Sequence, residues 1–167
     1  MNVISNFAAR YERTREEEIS LEDYLEICKN DKSAYATAAE RMLDAIGEPQ
    51  MVDTRHDPRL SRIFANKVIK IYPAFEEFYG MEEAIEQVVS YFRHAAQGLE
   101  EKKQILYLLG PVGGGKSSIA ERLKQLAEKV PFYAIKGSPV NESPLGLFDP
   151  AEDGPILEKE YGIPRRY

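Results

Sequence analysis

The chain has 167 residues, of which 43% are hydrophobic and 30% charged, and a formal net charge of −6. That is enough for one domain with a real core and short for two, while the acidic balance argues against a general nucleic-acid surface, which needs clustered Lys and Arg. No run approaches the ~18 apolar residues of a membrane helix, the single cysteine excludes an intramolecular disulfide, and Met1 to Arg15 lacks an apolar signal core, so a cytoplasmic protein is expected.

Near the N-terminus, Val3, Ile4 and Phe7 precede a charge run from Glu12 to Glu18 that reads as a solvated helix face. Ser20 is a helix cap with Asp23 three residues on, and Leu21, Tyr24, Leu25 and Cys28 follow at helical spacing, which predicts a buried thiol for Cys28. After Asn30 to Ser33 a second helix is predicted, with Tyr35, Ala38, Ala39, Met42, Leu43 and Ile46 as one apolar stripe closed by Gly47 and Pro49. The two helices together read as a hairpin. Residues 48–60, with Pro49 and Pro58, read as a connector, and a domain boundary is placed there. Residues 61–78 carry too many apolar groups for an exposed linker and must dock on something.

Beyond Tyr79-Gly80, the residues Ala84, Ile85, Val88, Val89, Phe92, Ala95 and Ala96 predict an amphipathic helix stopped by Gly98. Ile105 to Leu109 is a short continuous apolar run, as expected of a central parallel strand covered on both faces. It leads into Gly110-Pro111-Val112-Gly113-Gly114-Gly115-Lys116-Ser117, which fills every fixed position of the phosphate-binding pattern G-x-x-x-x-G-K-[ST]. The chemistry needs those residue types. Glycines let backbone amides wrap a triphosphate at close range, Lys116 is a mobile charge for the β and γ phosphates and the catalytic candidate, and the Ser117 hydroxyl can ligate the magnesium ion they carry. Ile119, Leu123, Leu126 and Val130 then predict a helix whose positive end faces the phosphates. A glycine-rich turn that binds nothing is left little room by so many matching positions.

Pro131 to Ile135 reads as a second strand, giving a strand, helix and strand unit with a right-handed crossover. Residues 138–154 read as loop, and Ile156 to Tyr161 as a short helix before the basic end Arg165-Arg166-Tyr167. His56 and His94 are isolated, so a protein-built zinc site has no support. Past Pro131 no apolar run ends in the acidic residue that a working phosphate-loop ATPase uses to hold magnesium and aim water; Asp149 and Asp153 are the nearest acids, and Lys136 reads as a surface residue.

The block from Phe75 to Ala120 resembles the AAA+ ATPases, in which a Gly between a bulky and an apolar residue, here Tyr79-Gly80-Met81, lies against the adenine. That resemblance implies a base pocket at Phe78, Tyr79, Gly80 and Met81 beside a nucleotide-binding loop of Gly110, Pro111, Val112, Gly113, Gly114, Gly115, Lys116, Ser117 and Ser118. Longer strings are similar to the N-terminal part of PrkA-type bacterial serine protein kinases: Asp31 to Ala36, Ala39 to Leu43, Ile46 to Pro49, Tyr72 to Met81, Ala95 to Gln104 and Leu157 to Tyr167. The resemblance implies an α/β fold: a helical segment over residues 1–60, then the first part of a AAA+ nucleotide-binding domain over 61–167, with a parallel sheet flanked by helices, that stops before its acidic strand. It also implies ATP and Mg2+ as cofactors, a protein substrate phosphorylated on serine, and a homo-oligomeric parent. Two other readings stand beside the kinase: an AAA+ machine that couples hydrolysis to remodelling or proteolysis, and a scaffold with a vestigial loop, against which the intact Gly115-Lys116-Ser117 end argues.

Overall fold

The computed structural model describes residues 2–14 and 18–167. Helix α1 (Val3–Thr14) leaves Val3, Ile4, Phe7 and Tyr11 exposed. Of the predicted charged face, residues 15–17 lie outside those described, as does Met1.

Helix α2 (Leu21–Asn30) starts where its cap predicts. The Ser20 hydroxyl accepts from the Asp23 amide at 3.1 Å and donates to the Asp23 carboxylate at 2.7 Å, which satisfies an amide the helix end would otherwise leave open. Tyr24, Leu25 and Cys28 are buried with Ala34, Tyr35 and Ile163. Burial raises the Cys28 thiol above its ordinary pKa, and Tyr24 is pushed up first by the same cause.

The second helix begins later than its stripe suggests. Residues Lys32–Tyr35 form a 3-10 turn, with the Asp31 carboxylate accepting from the Ser33 amide at 2.8 Å, and α3 (Ala38–Ile46) opens only at a capping box. There Thr37 accepts from the Glu40 amide at 3.3 Å and Glu40 accepts from the Thr37 amide at 2.8 Å. The predicted hairpin is corrected as well. Helix α2 packs on the 3-10 turn and on α7 (Gly154–Tyr161), whereas α3 packs on α5 (Glu82–Ala96) and α6 (Lys116–Ala127), so the two neighbours in sequence serve different cores.

The predicted connector is folded. Strand β1 (Gln50–Asp53) pairs antiparallel with β2 (Val68–Ile71), Gln50 opposite Ile71 and Asp53 opposite Val68. Between them α4 (Pro58–Phe64) uses Pro58 in its first turn, and Asp57 accepts from the amides of Arg59 and Leu60. Thr54 is fully buried and donates to the Lys67 carbonyl at 2.7 Å, closing the mouth of this excursion.

Residues 61–78 do dock: Phe64, Ile69, Tyr72 and Phe75 are buried. Tyr72 and Phe75 join Ile46, Ile85, Val89, Ile119 and Leu126 in the core that carries the phosphate loop's helix. The Tyr72 hydroxyl is buried there with no hydrogen-bond partner among the described residues. An orphaned polar group costs roughly 1–3 kcal/mol, so Tyr72→Phe is expected to stabilise the protein by about 1 kcal/mol, read as a higher denaturant midpoint at unchanged slope. A loss of stability would show that the hydroxyl has a partner.

Two predicted strands are absent. Neither Ile105 to Leu109 nor Pro131 to Ile135 is in a ladder, the described residues contain no parallel sheet, and so no strand, helix and strand crossover forms among them. The first run has alternating burial: Ile105, Tyr107 and Leu109 are 91%, 78% and 85% exposed, while Leu108 packs on the core. The second run turns to its own neighbours, the Ile135 amide donating to the Glu142 carbonyl at 2.9 Å. A strand is defined by a partner on its hydrogen-bonding edge, and an apolar run supplies side chains but no partner.

Candidate nucleotide site

The loop from Gly110 to Gly115 is built by local backbone geometry. The Gly114 amide donates to the Pro111 carbonyl at 3.2 Å, and a Cβ on Gly114 would stand 3.1 Å from that oxygen, so the turn closes tightly only around glycine. Gly115 has φ 74°, the left-handed region, and forms the N-terminal end of α6 without a side-chain cap. The first intrahelical bond runs from the Ile119 amide to the Gly115 carbonyl at 2.9 Å. The amides of Lys116, Ser117 and Ser118 therefore have no carbonyl inside the helix to bond, which is the arrangement that receives an anion at a helix N-terminus.

Lys116 is half-buried, and its ammonium folds back over the loop to donate to the carbonyls of Gly110 at 2.7 Å and Pro111 at 2.5 Å. Those bonds hold a positive charge at the loop's own mouth. Ser117 and Ser118 are exposed on the first turn of α6, and Val112 at the loop tip is fully exposed.

The segment before α5 reaches this loop through Met81. The Met81 sulfur lies so near Gly115 that a Cβ there would be 2.8 Å away. The Gly80 amide donates to Glu82 Oε1 at 3.3 Å. Phe78 is taken up by the core, edge-on to Phe75 at 5.8 Å, and Tyr79 is 77% exposed with the Arg59 guanidinium 5.9 Å from its ring. Among the four residues expected to form a base pocket, then, Met81 borders the loop, Phe78 backs the segment and Tyr79 stands in solvent.

Two residues outside the predicted set also bear on the site. Arg122 on α6 donates to the Ala74 carbonyl at 2.7 Å, tying the phosphate helix to the turn that precedes the base segment. Glu82 Oε2 is buried without a hydrogen-bond partner among the described residues. Neither could be picked out in sequence, since an acid in a first helical turn and a cation on a polar helix face are ordinary.

Other predicted residues fall elsewhere. The Asp149 carboxylate accepts from the Ala151 amide at 2.7 Å and Asp153 accepts from the Asp149 amide at 2.9 Å, so both cap backbone ahead of α7. Lys136 is an exposed partner of Glu18 at 2.6 Å, Arg165 pairs with Glu158 at 2.9 Å and Arg166 with Glu40 at 3.2 Å. His94 meets Glu101 at 3.0 Å, but no cluster of three metal-ligating side chains occurs among the described residues. No helix of the described residues is long and apolar enough to cross a membrane. Two clefts, of about 490 and 520 Å³, lie on the side of residues 132–147, and no residue of the glycine-rich loop lines either.

The sequence places the chain in a class of AAA domains: residues 19–167 match the family described as the PrkA AAA domain, and the chain belongs to that family. Over its full length it is 66% identical to the "Serine/threonine kinase YeaG" of Escherichia coli (strain K12), covering 27% of that protein. It is 35% identical over 92% of its length to the "ATP-dependent protease PrkA" of Bacillus subtilis (strain 168), covering 25% of that one. The chain thus spans about a quarter of the length of these relatives. No solved structure matches it.

Proposed function

We propose that this chain is the ATP-binding AAA+ module of a cytoplasmic, oligomeric serine protein kinase, with the phosphates held by the amides of residues 113–118 and by Lys116. The observation that carries the reading is the glycine turn at the open N-terminus of α6, with the Lys116 ammonium 2.7 Å from the Gly110 carbonyl at its mouth. The donor set suits Mg-ATP: bare amides and a mobile cation for phosphate oxygens, and the Ser117 hydroxyl for a magnesium ligand. Mg-ATP supplies the phosphoryl group to be transferred. Lys116 gives up two carbonyl acceptors for phosphate oxygens, a move its flexible stem allows, and Met81 beside Gly115 sets the distance between the phosphate and base regions.

Calorimetric titration with Mg-ATP tests the binding role. A charge-assisted phosphate contact contributes roughly 1.5–3 kcal/mol, so Lys116→Ala is expected to weaken binding from tenfold to more than a hundredfold. Equal affinities for the two proteins would refute the role. The name of the Bacillus subtilis relative favours a second reading, an ATPase that drives proteolysis or remodelling. Transfer of labelled γ-phosphate to serine by the full-length protein separates the two, because release of free phosphate alone supports the ATP-driven machine.

A further inference from the structure

The cleft of about 490 Å³ beneath the N-terminal end of α3 is chemically unlike the rest of the molecule. Arg41, Lys102 and Arg166 line it, and no carboxylate does, in a chain whose formal net charge is −6. Arg166 is already balanced by Glu40 at 3.2 Å. Arg41 is not: its guanidinium is half-buried, donates to the Ala36 carbonyl at 2.8 Å, and pairs with no carboxylate among the described residues. Lys102 on the rim has no ion-pair partner among them either. A cation withdrawn from water is ordinarily paired, since desolvation without a counter-charge is costly.

The same cleft presents an aromatic face. Phe132 is 47% exposed, and the Arg41 guanidinium lies over its ring at 4.7 Å, so a cation and a π-surface stand together at one wall. Asn141 and Ser143 add neutral hydrogen-bonding groups. The volume lies within the ~300–1,000 Å³ range of small-molecule pockets, and an inorganic anion alone would leave most of it empty.

We infer that this cleft is a second binding site, separate from the phosphate loop, for a small organic phosphate of the mononucleotide class, its phosphate held by Arg41 and Lys102 and its planar base against Phe132. The site stands whether or not the phosphate loop binds ATP, because the two share no residue.

Calorimetry on the 167-residue chain with AMP tests this. AMP is expected to bind, Arg41→Gln and Lys102→Glu each to weaken it about tenfold or more, and Lys116→Ala to leave it unchanged. Ribose 5-phosphate, which lacks the aromatic base, is expected to bind more weakly than AMP. Lys102 is exposed, so its variant keeps the test decisive if Arg41→Gln does not fold. Failure of AMP to bind at millimolar concentration, AMP affinity unchanged in Lys102→Glu, or AMP binding lost in Lys116→Ala would each overturn the site. Ribose 5-phosphate binding as tightly as AMP would overturn the ligand class.

Discussion

Gly115→Ala is expected to weaken Mg-ATP binding by tenfold or more and to lower the stability of the protein by at least 1–2 kcal/mol, the approximate cost of a left-handed conformation for a residue with a Cβ. The backbone there has φ 74°, and the new methyl group would meet the Met81 sulfur at 2.8 Å and its terminal carbon at 3.0 Å. A methionine end can swing away. That relief moves a side chain that joins the segment before α5 to the loop, so the damage is transferred to the site rather than avoided. Gly113→Ala is the control: its φ of 79° carries the same backbone cost, but nothing lies within 4 Å of the added Cβ. Calorimetry on both variants should therefore show the larger affinity loss at Gly115. Adding Met81→Ala to Gly115→Ala should recover part of it, with a coupling of roughly 0.5–3 kcal/mol as for residues in contact. Equal losses at the two glycines, or strict additivity of the pair, would remove Met81 from the site.

What could be read in the sequence was whatever is decided locally. The Ser20 cap, the amphipathic stripe of α5 and the glycine turn into α6 depend on residues a few positions apart, and the structure has all three. Cys28 is buried because it shares a helix face with Tyr24 and Leu25. The start of α3 was misread because its apolar stripe runs back to Tyr35, while the capping box at Thr37 and Glu40, a stronger local device, decides where the helix opens. Strand pairing is not local. Residues Gln50 to Asp53 form a strand because Val68 to Ile71 lies beside them, although the segment is polar at both ends and flanked by Pro49; Ile105 to Leu109 looks far more like a strand and has no neighbour. The same asymmetry governs the site. The glycine turn into α6 is contiguous, so its geometry can be read from neighbouring residues, whereas Arg122 reaching the Ala74 carbonyl, or Arg41 over Phe132, joins residues far apart in the chain.

The largest loss of stability is expected from Phe75→Ala. Phe75 is 3% exposed and sits where the turn after β2 meets α3, α5 and α6, in one cluster with Ile46, Val89 and Ile119. Truncating a buried phenylalanine removes its transfer free energy and leaves a cavity, together costing about 3–5 kcal/mol. Against the roughly 5–15 kcal/mol that holds an ordinary domain folded, that is about a fifth or more of the total. The consequence for function follows from Phe78, whose ring rests edge-on against Phe75 at 5.8 Å and which leads directly into Tyr79, Gly80 and Met81. Without that backing the segment beside the phosphate loop loses its fixed position, so Mg-ATP affinity should fall even at temperatures where circular dichroism shows the helices intact. Phe75→Leu retains most of the apolar volume and should cost less, which separates packing from any particular role of the ring. Denaturant unfolding that shows a loss below about 1 kcal/mol for Phe75→Ala, the size of an ordinary surface or mildly disruptive change, would mean that the core does not close around this residue, and the link from core to site would go with it.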